Sequence, residues 1–385
     1  MSYITVIDLF CGTGGFSIGF ENCTAAEFRT VFGIDILPAS VDTFRHNHPH
    51  AKCLAGDIRK VRRKDVESLL NLGRGHVDVI IGGPPCQGFS SIRPFRSTTD
   101  DDPRNSLFEE FASFVNWFRP KAFVLENVVG LATHNGGQTI ELMQECFHRI
   151  GYECDWRILN ASHFGVPQKR ERLIFLGIQR GGRIFFPIPT HWCEADTIGY
   201  RDKSRMLRPA SLDLFNRKQL PSAVTVMEAI GDLPAIASGE SAESYDKLPA
   251  NDFQCARRRR ARRLTLHSST RHSSKMMEII RHSGPNIACI PKGLITSGFS
   301  SCYSRLSADE PSTTITVNFV HPASNRCIHP VLDRALTPRE GARLQSFDDD
   351  FEFVGNRSQI TKQIGNAVPP LLGTAIGTAL AQTLV

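Results

Sequence analysis

Short apolar runs alternate with longer amphipathic stretches through the first half of the chain, and this alternation constrains the fold more than any other feature. The apolar runs are 4–9, 31–34, 77–81, 122–125 and 172–178, and the helix-like stretches are 40–47, 66–72, 107–118 and 139–150. Strands that alternate with helices form a parallel sheet covered by helices on both faces. The predicted fold class is therefore α/β, with a ligand crevice at the carboxyl ends of the strands.

The second half of the 385-residue chain has a different pattern. From residue 183 to 310, prolines, serines and charges are mixed with poor periodicity, which predicts a second, smaller and irregular domain. Regular patterning resumes near residue 335, where Thr337, Pro338 and Glu340 form a capping-box start, and a helix is predicted over 371–384. The predicted division is a first domain of 1–182, a second of 183–310, and a return to the first over 311–385.

Several classes of protein are disfavoured by the composition. No stretch has the roughly 18 uncharged apolar residues of a membrane span, and we expect no secretion leader and no membrane partner. The eleven cysteines include no Cys-x-x-Cys spacing, so no zinc ribbon or redox dithiol is predicted. Free thiols favour a reducing compartment, here the cytoplasm. His267, His272 and His282 lack ligand spacing, and no metal site is predicted.

A glycine-rich turn follows the first predicted strand. Gly12, Gly14 and Gly15 precede a helical stretch, and glycine lets the backbone turn tightly and lets a ligand approach it closely. The dinucleotide fingerprint of nicotinamide enzymes needs a third glycine where Ser17 stands, which weakens that interpretation. Asp35 ends the next strand, where a carboxylate can accept hydrogen bonds from ribose hydroxyls. These residues indicate a nucleoside ligand; the alternative is a tight turn with a surface aspartate.

One cysteine stands apart from the others, most of which are best interpreted as small buried hydrophobic residues. Cys86 follows GGPP (82–85) at the predicted carboxyl end of a strand. The prolines fix the backbone and the glycines leave room for a substrate, which suits a thiolate nucleophile. Glu126 ends the neighbouring strand, where a carboxyl group can act as a general acid. Each could instead be structural, as a turn cysteine and a capping glutamate.

Two arginines alternate along the next strand. In QKRER (168–172), Arg170 and Arg172 should point to one face of the sheet. Neighbouring guanidinium groups at a sheet edge can hold a phosphate or a base oxygen. The alternative is an edge strand that its charges protect from further pairing.

Taken together, these motifs resemble those of the DNA (cytosine-5) methyltransferases. The series is DLFCGTGGF (8–16), GPPCQGFS (83–90), ENV (126–128), QKRER (168–172) and QIGNAVP (363–369), in the order and spacing of that family. The resemblance covers residues 1–180 and about 310–385, and the region between corresponds to the variable target-recognition domain. It implies a Rossmann-like S-adenosylmethionine-dependent methyltransferase sheet with a smaller, irregular target-recognition domain. The chain looks like a prokaryotic restriction–modification enzyme.

The resemblance also implies roles for single residues. The adenine of S-adenosylmethionine would lie against Phe10 and Ile36, its ribose would meet Asp35, and its amino group would meet Asp57. Asn366 would return to this site from the C-terminal motif. The implied cofactor-binding residues are Phe10, Cys11, Gly12, Thr13, Gly14, Gly15, Asp35, Ile36, Asp57, Ile58, Pro85, Leu107, Asn366 and Val368.

The implied catalytic residues are Cys86, Glu126, Arg170 and Arg172. Addition of the Cys86 thiolate to carbon 6 of cytosine would make carbon 5 nucleophilic, and Glu126 at ring N3 and Arg172 at O2 would offset the developing charge. The target base must leave the duplex to reach this site. The long variable insert favours DNA over an RNA substrate, because duplex sequence is read in the major groove. Two competing hypotheses are an inactive DNA-binding relative and, more distantly, a nicotinamide dehydrogenase.

The net charge of +6 is concentrated in the predicted recognition domain. Residues 183–310 hold 19 Lys+Arg against 13 Asp+Glu, and the remainder of the chain is balanced. A local positive excess fits double-stranded DNA as the partner. We expect a monomer, with a cognate restriction endonuclease as a possible indirect partner. The candidate DNA contacts are Gln87, Ser90, Arg257, Arg258, Arg259, Arg260, Arg262 and Arg263; the alternative for the arginines is a solvated charge run.

Overall fold

The computed structural model describes residues 3–85, 106–194, 200, 202–209, 220–296 and 298–384. Its strands are β1 Ile4–Leu9, β2 Phe28–Asp35, β3 Lys52–Ala55, β4 Val79–Gly82, β5 Ala122–Asn127, β6 Tyr152–Asn160, β7 Gln168–Lys169, β8 Glu171–Gln179, β9 Met206–Leu207 and β10 Ser312–Thr313. Among the described residues, eight strands form one sheet in the order β3-β2-β1-β4-β5-β8-β6-β9, and β7 pairs with β10 separately.

Helices flank this sheet and make up most of the C-terminal segment. They are α1 Gly15–Glu21, α2 Pro38–Asn47, α3 Arg63–Leu70, α4 Ser106–Phe118, α5 Gln138–Arg149, α6 Val226–Ile230, α7 Asp252–Arg258, α8 Ser274–Arg281, α9 Pro338–Leu344, α10 Arg357–Asn366 and α11 Pro370–Leu384. The predicted capping box opens α9: Thr337 accepts from the Glu340 amide, and the Glu340 carboxylate accepts from the Thr337 amide. The helix therefore begins where its sequence pattern predicts.

The predicted α/β fold is confirmed, with one difference in strand direction. The strands β3, β2, β1, β4 and β5 pair in parallel, so their carboxyl ends share one edge of the sheet. In contrast, β8 runs antiparallel to both β5 and β6. The chain between β6 and β8 is too short for the crossover that a parallel pair requires. As a result β8 begins at the shared carboxyl edge, where Leu173 pairs with Asn127.

Separate hydrophobic clusters cover the two faces of the sheet. On one face, Phe111 of α4 and Phe147 of α5 pack with strand residues that include Phe123. On the other, Phe20 of α1 and Ile376 of α11 pack against a second set of strand residues. The predicted covering of both faces is thus present, and α11 reaches the sheet from the far end of the chain.

A third cluster lies in the C-terminal half of the chain and crosses the predicted domain boundary at residue 310. It joins Val226 and Leu264, from the predicted recognition domain, to Phe319, Leu344 and Ile364 beyond it. Residues 315–367 therefore share a core with the region before residue 310, while α11 alone among the C-terminal helices contributes to the sheet cluster.

The C-terminal helices also pass a length-and-composition test for crossing a membrane. Within the part of the chain that the structure describes, this holds for one helical run, Arg357–Leu384, and 67% of its most apolar window is buried inside the protein. The run comprises α10 and α11, and the apolar side chains of α11 pack on the sheet. Burial in the core thus accounts for its apolar composition.

Candidate active site

The glycine-rich turn lies at the carboxyl edge, between β1 and α1. Gly12 and Gly14 have φ angles of 52° and 87°, in the left-handed region that favours glycine. The Cys11 amide donates to a carbonyl at the end of β2 at 3.0 Å, and the Gly12 amide donates to Asp35 Oδ2 at 3.0 Å. These bonds fix the turn against the end of the next strand.

Asp35 ends β2 beside this turn, as its sequence position predicts. Its second carboxylate oxygen accepts from the Leu37 amide at 2.9 Å, and burial raises the pKa of the carboxyl group. The next residue, Ile36, leaves 63% of its surface exposed although it is a large apolar side chain. A half-buried carboxylate followed by an exposed apolar side chain is suited to a ribose and a neighbouring base.

The space around the turn fits a nucleoside cofactor. A Cβ atom placed on Gly12 would meet nothing within 4 Å, so the backbone there is open to a ligand. One placed on Gly14 would lie 2.4 Å from His48 Nε2, so the underside of the turn is filled by protein. The Thr13 hydroxyl is buried with no hydrogen-bond partner among the described residues. The turn is therefore open on one side and tightly supported on the other.

The remaining predicted cofactor residues differ in how well they are placed. Phe10 and Leu107 are half-buried and pack against the same hydrophobic cluster, in which Ile58 is a core residue. Asp57 accepts from the amide of Arg59 at 3.1 Å and forms an ion pair with its guanidinium at 2.6 Å. The predicted contact between Asp57 and an adenine amino group would have to share a carboxylate that Arg59 already holds.

The C-terminal motif passes beside the glycine-rich turn. A Cβ atom on Gly15 would lie 2.5 Å from the carbonyl oxygen of Val368. Further along, where α11 packs on α1, the Thr374 hydroxyl of α11 donates to the Gly19 carbonyl of α1 at 2.7 Å. Asn366, the last residue of α10, is exposed two residues before Val368. The side chain of Asn366 is thus available near the turn.

A glutamate and an arginine meet where β5 and β8 lie side by side. Glu126 Oε1 is 2.8 Å from Arg172 Nε, and both side chains are mostly buried. A Cβ atom on Gly83 would lie 3.2 Å from Glu126 Oε2, so the segment after β4 passes this carboxylate. The side-chain amide of Asn127 donates to the Pro84 carbonyl at 2.9 Å and holds that segment in place. The pair therefore lies beside the segment that leads to Cys86.

The described part of this segment ends at Pro85, which is exposed. Three predicted site residues, Cys86, Gln87 and Ser90, lie outside the described residues. Their roles stay predictions from the sequence.

Arg170, for which the resemblance implies a supporting role, lies inside the protein rather than on a ligand-binding face. Strand alternation placed it beside Arg172 on a ligand-binding face, but only 3% of its surface is exposed. One guanidinium nitrogen donates to the carbonyls of Ile315 and Gly365, at 3.3 and 3.4 Å. Arg170 lies between β7 and β8 rather than inside a continuous strand, so simple alternation does not apply to it. Its guanidinium is buried and contacts backbone carbonyls, one of them at the end of α10.

Sequence reasoning also missed the reason for Ser17. The Ser17 hydroxyl donates to Asp8 Oδ2 at 2.6 Å inside the protein. Burial raises the pKa of Asp8 to about 8. A glycine at position 17 could not supply this bond. The spacing of a strand aspartate and a serine in the following helix was visible in the sequence, but its partners were not.

These motifs and their arrangement agree with a family comparison. Residues 4–382 match the family model for C-5 cytosine-specific DNA methylases. The chain belongs to this family. It is therefore a DNA cytosine-5 methyltransferase.

Individual members of the family cover nearly the whole chain. The methyltransferase is 38% identical over 380 residues to Type II methyltransferase M1.HphI of Haemophilus parahaemolyticus, covering 98% of this chain and 86% of that protein. It is 32% identical to Type II methyltransferase M.AgeI of Thalassovita gelatinovora, covering 97% and 98%. A solved structure of a prophage-encoded protein of E. coli, assigned as a DNA modification methyltransferase, superimposes with a TM-score of 0.72 and 25% identity over 99% of both chains.

The arginine run of the methyltransferase divides into two groups, and two of its members need correction. Arg257 donates to the Ser346 carbonyl at 2.6 Å and pairs with Asp348 at 2.9 Å. Arg258 pairs with the buried Asp232 at 3.1 Å. Both face inward, at the end of α7, so they hold the C-terminal half together rather than face a ligand.

The rest of the run is solvent-exposed. Among the described residues, no carboxylate lies within salt-bridge distance of these side chains, which are Arg259, Arg260, Arg262 and Arg263. Arg260 lines a cavity of about 130 Å³ together with Asn22 and Asn47. Those asparagines mark the far ends of α1 and α2, away from the glycine-rich turn. Arg260 of the methyltransferase thus lies at the ends of α1 and α2 that face away from the glycine-rich turn.

Proposed function

We propose that this enzyme transfers a methyl group from S-adenosylmethionine to carbon 5 of a flipped-out cytosine in duplex DNA, as the modification enzyme of a Type II restriction–modification system. The observation that carries the proposal is the Glu126–Arg172 pair at 2.8 Å, beside the segment that leads to Cys86 and on the same sheet edge as the glycine-rich turn. The names of the relatives support a restriction–modification role.

The open turn and its neighbours would hold the cofactor. Asp35 would accept the ribose hydroxyls, and Ile36 and Phe10 would enclose the base. The turn amides and the exposed Asn366 would complete the site from the other side. When bound, the sulfonium of the cofactor supplies an electrophilic methyl group. The residues of the protein only bind it and aim it at the crevice.

The protein residues would activate the cytosine ring. The Cys86 thiolate forms a bond to carbon 6, and the electron pair of the 5–6 double bond moves towards carbon 5 and ring N3. Glu126, as the neutral acid, donates a hydrogen bond to N3, passes its proton there as the negative charge develops, and takes it back when the thiolate leaves, while Arg172 stabilises O2. Carbon 5 then takes the methyl group. Loss of its proton to a base and departure of the Cys86 thiolate restore the double bond.

The contact between Glu126 and Arg172 orients both side chains towards the bound base. The arginine fixes the direction of the carboxylate by a charge-assisted hydrogen bond, which is shorter and stronger than a neutral one. Both side chains are mostly out of water, at 13% and 14% exposure, so their electrostatic effect on a bound base is larger than at the surface. A flipped base enters this site only after it leaves the stack.

We further propose duplex DNA as the partner of the exposed arginines, a monomeric enzyme, and a cytoplasmic location in a prokaryotic cell. Arg259, Arg260, Arg262 and Arg263 have the charge and exposure that phosphate contacts require. A cognate endonuclease would act on the same sequence without needing to touch this chain.

Covalent trapping tests the mechanism. Duplex DNA that contains 5-fluorocytosine should form a stable adduct with the wild-type enzyme and cofactor, because fluorine at carbon 5 cannot leave as the proton does. Cys86→Ser should form none and should methylate unmodified DNA no faster than background. A Cys86→Ser enzyme that methylates at the wild-type rate would refute the proposal. Sequencing of methylated positions in DNA from an expressing host would identify the recognition sequence for every later assay.

A further inference from the structure

Three buried side chains connect the beginning of β8 to the C-terminal helices. We call Gln168, Arg170 and Gln345 the buried tie. Gln168 Nε2 donates to the Leu344 carbonyl at 3.1 Å and to Gln345 Oε1 at 3.0 Å, and Gln168 Oε1 accepts from the Ile315 amide at 2.8 Å. Neither glutamine has measurable exposure to solvent, and Arg170 has 3%.

The tie ends on the last turn of α10. Gln345 Nε2 donates to the Ile364 carbonyl at 2.7 Å, and Arg170 donates to the Gly365 carbonyl at 3.4 Å. The last four carbonyls of a helix lack partners within the helix, and a positive charge there is favourable. Gln345 and Arg170 therefore fix the end of α10. Asn366, the proposed cofactor contact, is the next residue.

The same end of α10 leads directly to the glycine-rich turn. After Asn366 the chain passes Gly15 closely enough that an added Cβ atom would lie 3.5 Å from Ala367 Cβ and 2.5 Å from the Val368 carbonyl oxygen. A displacement of the α10 end would therefore move the support of the cofactor turn.

The other side of the tie bears on the base-binding pair. Arg170 is two residues before Arg172, which pairs with Glu126. β7, which contains Gln168, is also held by β10: Ser312 pairs with Gln168 and Thr313 with Lys169. The entry to β8 is thus fixed by contacts with segments more than 140 residues away in sequence, such as the bond between Ile315 and Gln168.

We propose that Gln168, Arg170 and Gln345 are positioning residues that hold the Glu126–Arg172 pair in register with the cofactor turn, so that cofactor and target base bind cooperatively. The inference rests on the proposed function for the identity of the two ligands. Two residues of backbone lead from Arg172 to Arg170, a hydrogen bond leads from Arg170 to Gly365, and three residues of backbone lead from Gly365 to Val368 beside Gly15. A path of this kind couples two sites only if both ligands favour the same arrangement of it.

Stability alone is a poor explanation for the tie. Burial lowers the pKa of Arg170 well below its usual value, and in the described part of the chain its hydrogen-bond partners are neutral carbonyls. A buried cation without a bonded carboxylate costs more than a well-packed apolar side chain of similar volume. The Nε atom of Arg170 is also buried with no hydrogen-bond partner among the described residues, which adds to this cost. Buried polar groups that lower stability can be retained because they specify one arrangement of the chain, and here that arrangement would be the one that the active site needs.

The test is the mutual effect of the two ligands on each other's affinity. S-adenosylhomocysteine, the demethylated cofactor, is titrated with and without a duplex that carries the mapped recognition sequence. In the wild-type enzyme we expect the duplex to tighten its binding by about fivefold or more. Gln168→Met keeps the volume and removes three hydrogen bonds. The factor is the ratio of the S-adenosylhomocysteine affinities measured with and without the duplex. In this variant we expect the factor to fall to near one, while the affinity for each ligand alone changes less.

Gln179→Met is the matched control, because Gln179 is the last residue of β8, at the end of that strand away from the tie. Its side-chain amide donates to the carbonyls of Arg119 and Pro120, at 3.0 and 3.1 Å. We expect this variant to lose thermal stability without losing the mutual tightening. If both variants melt earlier and both keep the wild-type factor, the tie is structural only and the inference is overturned. A wild-type factor of one overturns it as well.

A second variant covers the case in which Gln168→Met does not fold. Gln345→Glu keeps the shape and the acceptor for Gln168 but removes the donor to Ile364, and it should lower the factor in the same way. A wild-type factor in folded Gln345→Glu counts against the inference. The two proposals fail separately: loss of the 5-fluorocytosine adduct removes the proposed chemistry, whereas an unchanged factor removes the positioning role.

Discussion

Replacement of Gly15 by alanine tests whether the C-terminal motif supports the cofactor turn. The new methyl carbon would lie 2.5 Å from the Val368 carbonyl oxygen and 3.0 Å from a ring carbon of Phe347. Contacts between carbon and oxygen rarely fall below about 3.3 Å, so the Val368 backbone must move by about 0.8 Å. Overpacking of this kind costs about 1–3 kcal/mol.

The effect on cofactor affinity depends on which part of the structure moves to relieve the close contact. If the cofactor site is displaced in full, a cost of about 1–3 kcal/mol corresponds to about 5- to 150-fold weaker binding. If α1 and α11 instead move apart in the ligand-free protein, the same cost lowers the melting temperature and leaves the affinity unchanged. Calorimetric titration with S-adenosylhomocysteine and a thermal melt together capture both outcomes.

Gly130→Ala is the control, because its added Cβ atom would meet nothing within 4 Å and its backbone is not in the left-handed region. It should match the wild type in both measurements. If Gly15→Ala also matches the wild type in affinity and in melting temperature, the close approach of Val368 to the turn is wrong, and so is the argument that links the C-terminal motif to the cofactor.

Two further predictions concern charge. The first variant replaces the four exposed arginines, Arg259, Arg260, Arg262 and Arg263, by glutamine. It should reduce the magnitude of the slope of log affinity for DNA against log salt concentration by up to about 3.6. The control, Arg257→Gln, should leave the slope unchanged and lower thermal stability, whereas an unchanged slope in the fourfold variant would mean that these arginines face solvent and do not contact DNA. Burial holds the pKa of His329 at about 4 against a usual 6.5. The unfolded chain therefore takes up this proton first, and the free energy of unfolding should fall by up to about 3 kcal/mol as the pH drops from about 6.5 to about 4. Urea unfolding of His329→Asn across that range should lack this component, and a variant as pH-dependent as the wild type would contradict it.

Local sequence pattern was sufficient for the first part of the sheet. Each predicted strand from residue 4 to 125 overlaps an observed one, and β1 begins and ends as predicted at Ile4 and Leu9. Apolar periodicity works there because the strands are buried on both faces and the helices between them are amphipathic. It failed for β3, whose residues are largely exposed, and for β6, which was not predicted.

The direction of β8 depends on a connection rather than on periodicity. The burial pattern of β8 is that of a central strand of either direction, since every residue from Leu173 to Ile178 is buried. What reverses it is the short path from β6 through a tight 3-10 turn at Ala161–Phe164, which leaves no length for a crossover. The reversal matters for the site because it brings Arg172, at the start of β8, to the end of β5 where Glu126 lies.

The positions of candidate site residues could be predicted from the sequence where those residues directly follow a parallel strand. Asp35, Glu126 and the glycine-rich turn lie at the shared carboxyl edge because parallel strands end together. Charge was a poorer guide. Arg257 and Arg258 have the same residue type as their exposed neighbours, and only the positions of Asp348 and Asp232 make them structural.

Arg170 and Arg172 show why the active site depends on the whole chain. Both occur in one motif, two residues apart, and strand alternation gives them the same role. Their partners differ because Arg170 meets Gly365, 195 residues later, whereas Arg172 meets Glu126 on the adjacent strand. The buried guanidinium of Arg170 is held by two backbone carbonyls, one at the end of α10 and one at Ile315. The N-terminal motifs therefore acquire their geometry from the C-terminal ones, and α11, which follows them, also covers Phe20 on the sheet.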